Sequence, residues 1–443
     1  MRLYIDPGTG SMLFAIVIGL IGVLIYFLKS LIVKLRFIIS GGKKTQSDAN
    51  TIPLVIFSDD KRYWPVFLPI VRELDARGFD VVYMTASGDD PALTCKDYPH
   101  LSAQFIGEGN RAFAKLNFLK ATIVLSTTPG LDVYQWKRSK YVKYYVHTWH
   151  STMISATLYE TFGLDYYDAV LTSGIHQQDD IRALEKLRDL PAKELVRVGL
   201  PFMDDKAALL SQKPTTPSHE RTIILAPSWG PNSILNRFGG RMIRNLLDTG
   251  YHIIVRPHPQ SYTSEKDMLD ALMAEFPESS QLEWNNEVDN FAVLSRSDLL
   301  ISDFSGVLYE YAFIFDKPLI CAFTNFDRSK YDAWWLDTPL WIEECIPQLG
   351  DILNEENIDN IKSMIDEAIT NEQYAERRRK IREETWAFPG EGAKRVADYL
   401  IEKYKELTES ADKVQDADAD SKTSKDKKKK KEKEKTQGKD SVS

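Results

Sequence analysis

The sequence predicts an α/β protein with two Rossmann-like lobes, and three observations in the 443-residue chain support this fold class. Short apolar runs rich in β-branched residues recur along the chain, and polar or glycine-containing turns bound each of them. Segments with helical spacing of apolar residues separate these runs, which is typical of a parallel sheet covered by helices. A polar, proline-containing stretch at 211–220 divides the runs into two successive arrays, which indicates two lobes.

The first lobe is expected at residues 51–210. Its strands are predicted from the apolar runs at 52–57, 81–84, 122–126, 143–146 and 169–171. Its helices are predicted at 64–77, where Gly78 follows as a stop signal, at 111–119 and at 153–162.

The second lobe is expected at residues 221–407. Its predicted strands are 222–225, 252–255, 299–301 and 319–322, and helices near 358–370, 372–384 and 392–404 complete it. Ligands in such folds bind beyond the carboxyl ends of the strands, so we expect the functional site in the cleft between the lobes.

Residues 1–40 are predicted to form a membrane anchor. The run 11–28 has no charged residue and the length needed to cross a bilayer core. Because five basic residues follow this run, while only Arg2 and Asp6 precede it, we expect a single-pass protein of the inner cell membrane with its catalytic domain in the cytoplasm. A secretory signal peptide is the alternative, but the leader, residues 4–10, does not match the basic leader and small-residue cleavage site that such a signal needs. Residues 31–39 either extend the membrane helix or lie in the lipid interface.

The tail at 408–443 is predicted to be disordered because it is first acidic, then rich in lysine, and nearly free of large apolar residues. It is either a solvated tail or an electrostatic contact to anionic lipid or a polyanionic product. The formal net charge of -8 argues against a nucleic-acid partner. Three widely spaced cysteines predict neither a disulfide framework nor a zinc site.

The first motif is Trp149-His150-Ser151-Thr152, which follows a predicted strand and precedes a predicted helix. An imidazole is a suitable general base near neutral pH, and small hydroxyl residues at a helix start leave backbone N–H groups for an anion. A structural histidine at a strand end is the competing interpretation of this motif.

The second motif, Arg256-Pro257-His258-Pro259, directly follows the strand 252–255. The two prolines restrict the backbone around His258 and so fix the direction of its ring. Arg256 is suited to a bidentate phosphate contact. A rigid turn without catalytic function is the alternative.

A third motif, 302–306, joins a strand to an apolar helix predicted at 307–315. Ser302, Ser305 and Gly306 are expected to bind phosphate at the positive end of that helix, although ordinary N-capping is an alternative. Asp303 is expected to orient loops or cap a helix. A fourth stretch, 226–230, contains Ser228 and is expected to line the same cleft.

The stretches 149–152, 226–229, 256–259 and 302–306 together resemble the CDP-glycerol glycerophosphotransferase family, which comprises teichoic acid primases and polymerases. The resemblance implies a glycosyltransferase-B (GT-B) fold, with an acceptor lobe that contains Trp149, Ser151 and Thr152. It also implies that His150 is the base, that His258 meets the donor pyrophosphate, and that the turn 302–305 holds donor phosphates.

Two positions depart from the pattern of the family. The family usually has glycine where this chain has Ser151, and an aromatic-Ser-Ser run where it has Phe304-Ser305-Gly306. A membrane span is also unusual for members that attach peripherally.

The resulting hypothesis is transfer of glycerol phosphate, or a related alditol phosphate, from a CDP-linked donor to a hydroxyl of a lipid-linked or glycan acceptor, with release of CMP. No Asp-x-Asp pair or His/Glu cluster at ligand spacing occurs, so neither a metal nor another cofactor is expected. Two alternatives remain: a GT-B glycosyltransferase that uses a nucleotide sugar, and a non-catalytic membrane scaffold for assembly of an envelope polymer.

Overall fold

The computed structural model describes residues 51–212, 220–287, 289–323 and 326–410. The predicted membrane anchor at 1–40 and most of the predicted tail, from 411 onward, lie outside these ranges. Within them, no helix combines the length and the apolar character that crossing a bilayer requires.

The first lobe is built on a parallel sheet of seven strands within the described residues, in the order β3-β2-β1-β4-β5-β6-β7. The strands are β1 (Ile52–Ser58), β2 (Val81–Thr85), β3 (Leu101–Phe105), β4 (Ala121–Ser126), β5 (Val142–Thr148), β6 (Ala169–Thr172) and β7 (Glu194–Arg197). β4 is buried along its whole length, as expected for a strand covered on both faces.

The second lobe contains a parallel sheet of six described strands, in the order β10-β9-β8-β11-β12-β13. They are β8 (Thr222–Leu225), β9 (His252–Val255), β10 (Leu282–Trp284), β11 (Leu299–Ser302), β12 (Leu319–Cys321) and β13 (Asp351–Ile352). In both sheets the strand order reverses next to the first strand of the lobe, at β1/β4 and at β8/β11.

Helices cover both sheets. Those of the first half of the chain are α1 (Trp64–Ala76), α2 (Asn110–Leu116), α3 (Ser155–Leu158), α4 (His176–Leu187) and α5 (Pro201–Gln212). Those of the second half are α6 (Ile234–Leu247), α7 (Ser261–Ser264), α8 (Lys266–Glu275), α9 (Phe291–Arg296), α10 (Val307–Glu310), α11 (Trp341–Leu349), α12 (Ile361–Thr370), α13 (Ala375–Thr385) and α14, described from 392 to 410. A π-helical turn, Tyr311–Phe315, continues α10.

The helix predicted at 153–162 is wrong in length, since α3 is a single turn. Tyr159 leaves the helix in an extended conformation, and its ring stacks on Trp149 with centroids 5.5 Å apart. Its hydroxyl lies 2.9 Å from Nε2 of the buried His147. Burial of this aromatic side chain therefore outweighs continuation of the helix.

The last helix, α14, was predicted as part of the second lobe, but it packs against the sheet of the first. Val396, Ala397 and Leu400 are buried in one cluster with Leu54 and Ile56 of β1. The predicted boundary at 407 is therefore wrong for this element, because its apolar face finds a complementary surface only on the first sheet. The helix also runs to 410, three residues into the region predicted to be disordered.

Where the chain returns to the first lobe, after α13, its backbone passes close to that of the segment between β7 and α5. A Cβ atom on Gly199 would lie 2.3 Å from the carbonyl oxygen of Ala387, and φ of Gly199 is +86°. Both constraints require glycine. The Asp204 carboxylate secures the crossing segment by accepting the backbone N–H groups of Gly390 and Gly392 at 2.8 and 2.9 Å.

A buried ion-pair network also joins the lobes. Arg188 at the end of α4 pairs with Asp165 at 2.7 Å and with Asp332, which belongs to the segment after β12. All three side chains are at most 9% exposed. The guanidinium also lies over the rings of Phe162 and Trp335, at 4.7 and 5.1 Å from their centroids.

Candidate functional site

The predicted motifs lie at the carboxyl ends of strands, one in the first sheet and three on adjacent strands of the second, and they face the cleft between the lobes. The motif at 149–152 follows β5, and that at 256–259 follows β9. The stretches at 226–230 and 302–306 follow β8 and β11, which flank the strand-order reversal of the second sheet. A reversal of strand order opens a crevice at the carboxyl edge of a parallel sheet, where ligands bind.

His150 lies at the floor of the cleft, partly buried. Its Nδ1 is 2.7 Å from Oγ1 of Thr127, and its ring packs on Tyr63 with centroids 4.9 Å apart. Burial lowers the pKa of His150 to about 4, and the positive charge of Arg62 lowers the pKa further. The imidazole is therefore neutral near pH 7, and its Nε2 can accept a proton when Nδ1 donates to Thr127.

Packing and hydrogen bonds within the first lobe hold the residues beside His150. Trp149 is 1% exposed and stacks on Tyr159. Oγ of Ser151 accepts the backbone N–H of Met153 at 3.2 Å. The carbonyl oxygen of Thr152 accepts a hydrogen bond from Nε2 of His176 at 2.6 Å. These contacts fix the backbone on which His150 sits.

His258 enters the cleft from the second lobe. Its Nδ1 accepts the backbone N–H of Gln260 at 3.1 Å, so the neutral ring carries its proton on Nε2. Burial lowers the pKa of His258 to about 4, Arg62 lowers it further, and Glu265 opposes the shift. The neutral imidazole is therefore a hydrogen-bond donor through Nε2.

Arg256 contacts the loop after β10. Its Nη2 donates to the carbonyl oxygen of Glu287 at 2.7 Å, and its Nη1 donates to Asn285. Burial lowers the pKa of the guanidinium. Two of its nitrogens are thus committed to the protein, and a phosphate contact of Arg256 stays a prediction.

Ser302 and Asp303 do not face the cleft as predicted. Both are fully buried, and the Ser302 hydroxyl donates to the carbonyl oxygen of Ala226 at 2.7 Å. The Asp303 carboxylate accepts the backbone N–H of Ser228 at 2.8 Å and that of Ile234 at 3.1 Å. Direct phosphate binding by either side chain is therefore wrong, because both are used to join the loops after β8 and β11. Asp303 was expected to orient loops or cap a helix; it links these two loops and accepts the first N–H of α6, which begins at Ile234, rather than one from α10.

Ser305 and Gly306 are only partly buried and meet the first lobe. A Cβ atom on Gly306 would lie 3.3 Å from Oγ of Ser151, so the two motifs are in contact across the cleft. Gly306 is also the N-cap of α10. The backbone N–H groups of Leu308 and Tyr309 already donate to the carbonyl oxygens of Ser305 and Gly306, at 3.1 and 3.2 Å. This turn is the part of the third motif that remains available to a phosphate.

The segment after β1, which sequence reasoning missed, contributes Asp59, Arg62 and Tyr63. Arg62 is the positive charge that lowers the pKa of both His150 and His258, so one guanidinium stands within electrostatic reach of both imidazoles. Burial raises the pKa of Asp59, whose Oδ1 is buried without a hydrogen-bond partner among the described residues. A polar run directly after the first predicted strand was the available signal.

Two parallel-sheet lobes with histidines from each at one cleft define a GT-B-type protein of the transferase class. Residues 103–402 match the model of the CDP-Glycerol:Poly(glycerophosphate) glycerophosphotransferase family. The chain belongs to this family, as the four motifs predicted.

Named relatives agree with this family. The teichoic acid glycerol-phosphate primase of Bacillus spizizenii is 24% identical over 268 residues, which cover 54% of this chain and 65% of the primase. The wall teichoic acid polymerase TagF shares the fold, with a TM-score of 0.52, 15% identity, and coverage of 87% of this chain and 99% of that one. UDP-GlcNAc 2-epimerase from Neisseria meningitidis shares it at a TM-score of 0.50 and 12% identity, over 80% of this chain and 100% of the epimerase.

Proposed function

We propose that this protein transfers glycerol phosphate, or a related alditol phosphate, from a CDP-linked donor to a hydroxyl group of an acceptor in teichoic acid synthesis. The observation that carries this proposal is the placement of His150 and His258, from opposite lobes, in the field of one guanidinium at one cleft. Membership in the glycerophosphotransferase family and the likeness to the primase support the choice of donor.

The proposed reaction is a displacement at phosphorus. The acceptor oxygen attacks the β-phosphorus of the CDP-linked donor, the bond from that phosphorus to the bridging oxygen breaks, and CMP leaves with the bonding electrons. His150 accepts the proton of the acceptor hydroxyl, for which a neutral imidazole is required. Its low pKa ensures that form near pH 7.

The second lobe is proposed to hold the donor. Nε2–H of His258 donates to an oxygen of the pyrophosphate, where preorganised donors stabilise the charge that develops on the leaving group. Backbone N–H groups at Ser305 and Gly306 are positioned to add to this stabilisation. Arg62, whose charge lowers the pKa of both histidines, is suited to the phosphoryl group in transit.

The location and the acceptor complete the proposal. The apolar run at 11–28 and the basic residues after it support attachment to the inner cell membrane with the cleft in the cytoplasm. A lipid-linked or glycan acceptor is consistent with that location. The proposal requires neither a metal nor a cofactor.

The test is release of CMP from CDP-glycerol by membranes that contain the full chain, with other CDP-alditols and UDP-sugars as rival donors. His150→Ala should reduce kcat by about 10²-fold or more, the usual contribution of acid–base catalysis. His100→Ala, which removes a partly exposed histidine paired with Asp80 in the same lobe, is the matched control and should keep normal turnover.

Three outcomes contradict the proposal. Near-normal turnover by His150→Ala removes that residue from the role of base. Release of UDP from a nucleotide sugar, without CMP release, favours a glycosyltransferase of the same fold. Failure of the chain to bind any cytidine nucleotide in calorimetry favours a non-catalytic scaffold.

A further inference from the structure

A surface at the amino ends of β1, β4 and β5 combines exposed aromatic rings with lysines. It consists of Phe118, Lys120, Lys140, Tyr141 and Lys143, and we call it the basic–aromatic surface. Phe118 lies just before β4, and Tyr141 just before β5. Because all strands of this sheet are parallel, the surface lies at the opposite end of the sheet from the cleft.

The two aromatic rings of this surface are unusually exposed. Phe118 is 77% exposed and Tyr141 is 44% exposed. The ammonium groups of Lys120 and Lys140 lie 5.5 and 4.9 Å from the centroid of the Tyr141 ring. Water-exposed rings flanked by lysines are the composition that proteins use at the interface of a bilayer.

The two segments that carry the rings and the lysines are positively charged. The segments 115–120 and 133–143, which build it, contain lysines and one arginine but no Asp or Glu. None of Lys120, Lys140 and Lys143 forms an ion pair with a carboxylate of the described residues. Their charge is therefore available to an anionic partner.

Both ends of the described domain leave at this surface. The backbone N–H of Ile52, where the chain arrives from residues 1–50, donates to the carbonyl oxygen of Lys120 at 3.2 Å. Near the other end, Nζ of Lys143 donates to the carbonyl oxygen of Leu407 at 3.4 Å. Residues 29–51 join the uncharged run 11–28 to β1, whose first residue lies at this edge of the sheet.

We propose that the basic–aromatic surface docks on an anionic phospholipid bilayer. Phe118 and Tyr141 enter the headgroup region, and the three lysines contact lipid phosphates. The acidic start of the chain's own tail, with Asp412 and Asp416, is a weaker occupant, because it has no large apolar side chain to cover the two rings. The inference concerns the membrane attachment within the proposed function and is independent of the donor and the reaction.

The experiment places an environment-sensitive fluorophore on Phe118→Cys in the full chain, in a Cys95→Ser background, since Cys321 and Cys345 are buried. The labelled protein is added to vesicles of phosphatidylcholine with and without phosphatidylglycerol. Quenching of the fluorophore by acrylamide, which is uncharged, measures its exposure to water. Phe105→Cys is the matched control, because Phe105 is a 44%-exposed phenylalanine at the opposite end of the same sheet.

With phosphatidylglycerol we expect a blue shift and a fall in the acrylamide quenching constant at position 118, and no change at position 105. Combined Lys120→Gln, Lys140→Gln and Lys143→Gln substitutions should abolish the response at 118. Equal quenching at both positions in all vesicles overturns the proposal. Protection at 118 without phosphatidylglycerol that disappears when residues 411–443 are removed also overturns it, in favour of the tail. CMP release is measured on the same samples, so loss of the reaction and loss of docking are read separately.

Discussion

Ser151 and Gly306 meet across the cleft, with the Ser151 hydroxyl oxygen 3.3 Å from the position that a Cβ of residue 306 would take. These are the two positions at which the chain departs from the pattern of the family it resembles, which has glycine at the first position and serine at the second. The two departures therefore meet at one contact, with a side chain on the first lobe and none on the second. We expect them to act as one compensating exchange.

The first prediction follows from this exchange. Gly306→Ser adds a Cβ at 3.3 Å from the Ser151 oxygen, so the Ser151 side chain must shift by a few tenths of an ångström. This shift weakens the hydrogen bond that Ser151 accepts from Met153, and kcat should fall. The double variant Ser151→Gly/Gly306→Ser should recover activity, with a coupling free energy of about 0.5–3 kcal/mol, as found for residues in contact. The coupling free energy is obtained from the rates of CMP release by the wild type, both single variants and the double variant. Simple additivity of the two single effects would contradict a compensating exchange.

The second prediction concerns pH. Arg62 lowers the pKa of His150 and of His258, so Arg62→Gln should raise both values towards the ordinary histidine value of about 6.5. Because catalysis requires neutral imidazoles, the acidic limb of the kcat/KM profile should move to higher pH. Lys61→Gln removes the neighbouring charge, which pairs with Asp89, and should leave the limb in place. If the acidic limb of the kcat/KM profile does not move in Arg62→Gln, the Arg62 side chain does not act on the two histidines in the cleft.

The third prediction concerns Asp303. Asp303→Ala leaves the buried N–H groups of Ser228 and Ile234 unpaired, which should lower the free energy of unfolding by about 1–3 kcal/mol for each donor. Turnover should fall as well, because the loops after β8 and β11 lose their link. Asp89→Ala, which removes an exposed ion pair, is the control and should leave the free energy of unfolding nearly unchanged.

The same carboxyl group gives a pH signature. Burial raises the pKa of Asp303 to about 6 in the folded protein, above its value of about 4 in the unfolded chain. As the pH falls from 6 to 4, the folded state takes up the proton first, so this residue stabilises the fold more at the lower pH. The difference in unfolding free energy between the wild type and Asp303→Ala should therefore grow over this range. A constant difference would show that Asp303 does not titrate there.

The fourth prediction concerns the buried link between the lobes. Arg188→Ala leaves the buried carboxylates of Asp165 and Asp332 without their partner. It should lower the free energy of unfolding by about 3–5 kcal/mol, as for other broken buried pairs. Arg72→Ala breaks an exposed pair with Asp205 and should cost about 0–1 kcal/mol. Chemical denaturation of the full chain measures both variants. Equal losses would mean that the buried network does not hold the lobes together.

Much of the fold was predictable because the strands of a covered parallel sheet are continuous apolar runs. The predicted strands at 222–225 and 252–255 coincide with β8 and β9 to the residue. The edge strand β3 was missed because Leu101–Phe105 is mostly exposed and therefore carries little apolar signal. The motifs with His150 and His258 were predictable because polar residues directly after such strands stand out.

The sequence by itself determined the two lobes, the family and the two histidines, since each depends on residues that are close together in the chain. Only the tertiary structure decided that β1 pairs with β4, which brings Arg62 and Asp59 to the cleft. It also buried Ser302 and Asp303 and returned α14 to the first lobe. These outcomes depend on which surfaces bury one another between segments 69 or more residues apart in the chain, and no local pattern of side chains encodes that choice.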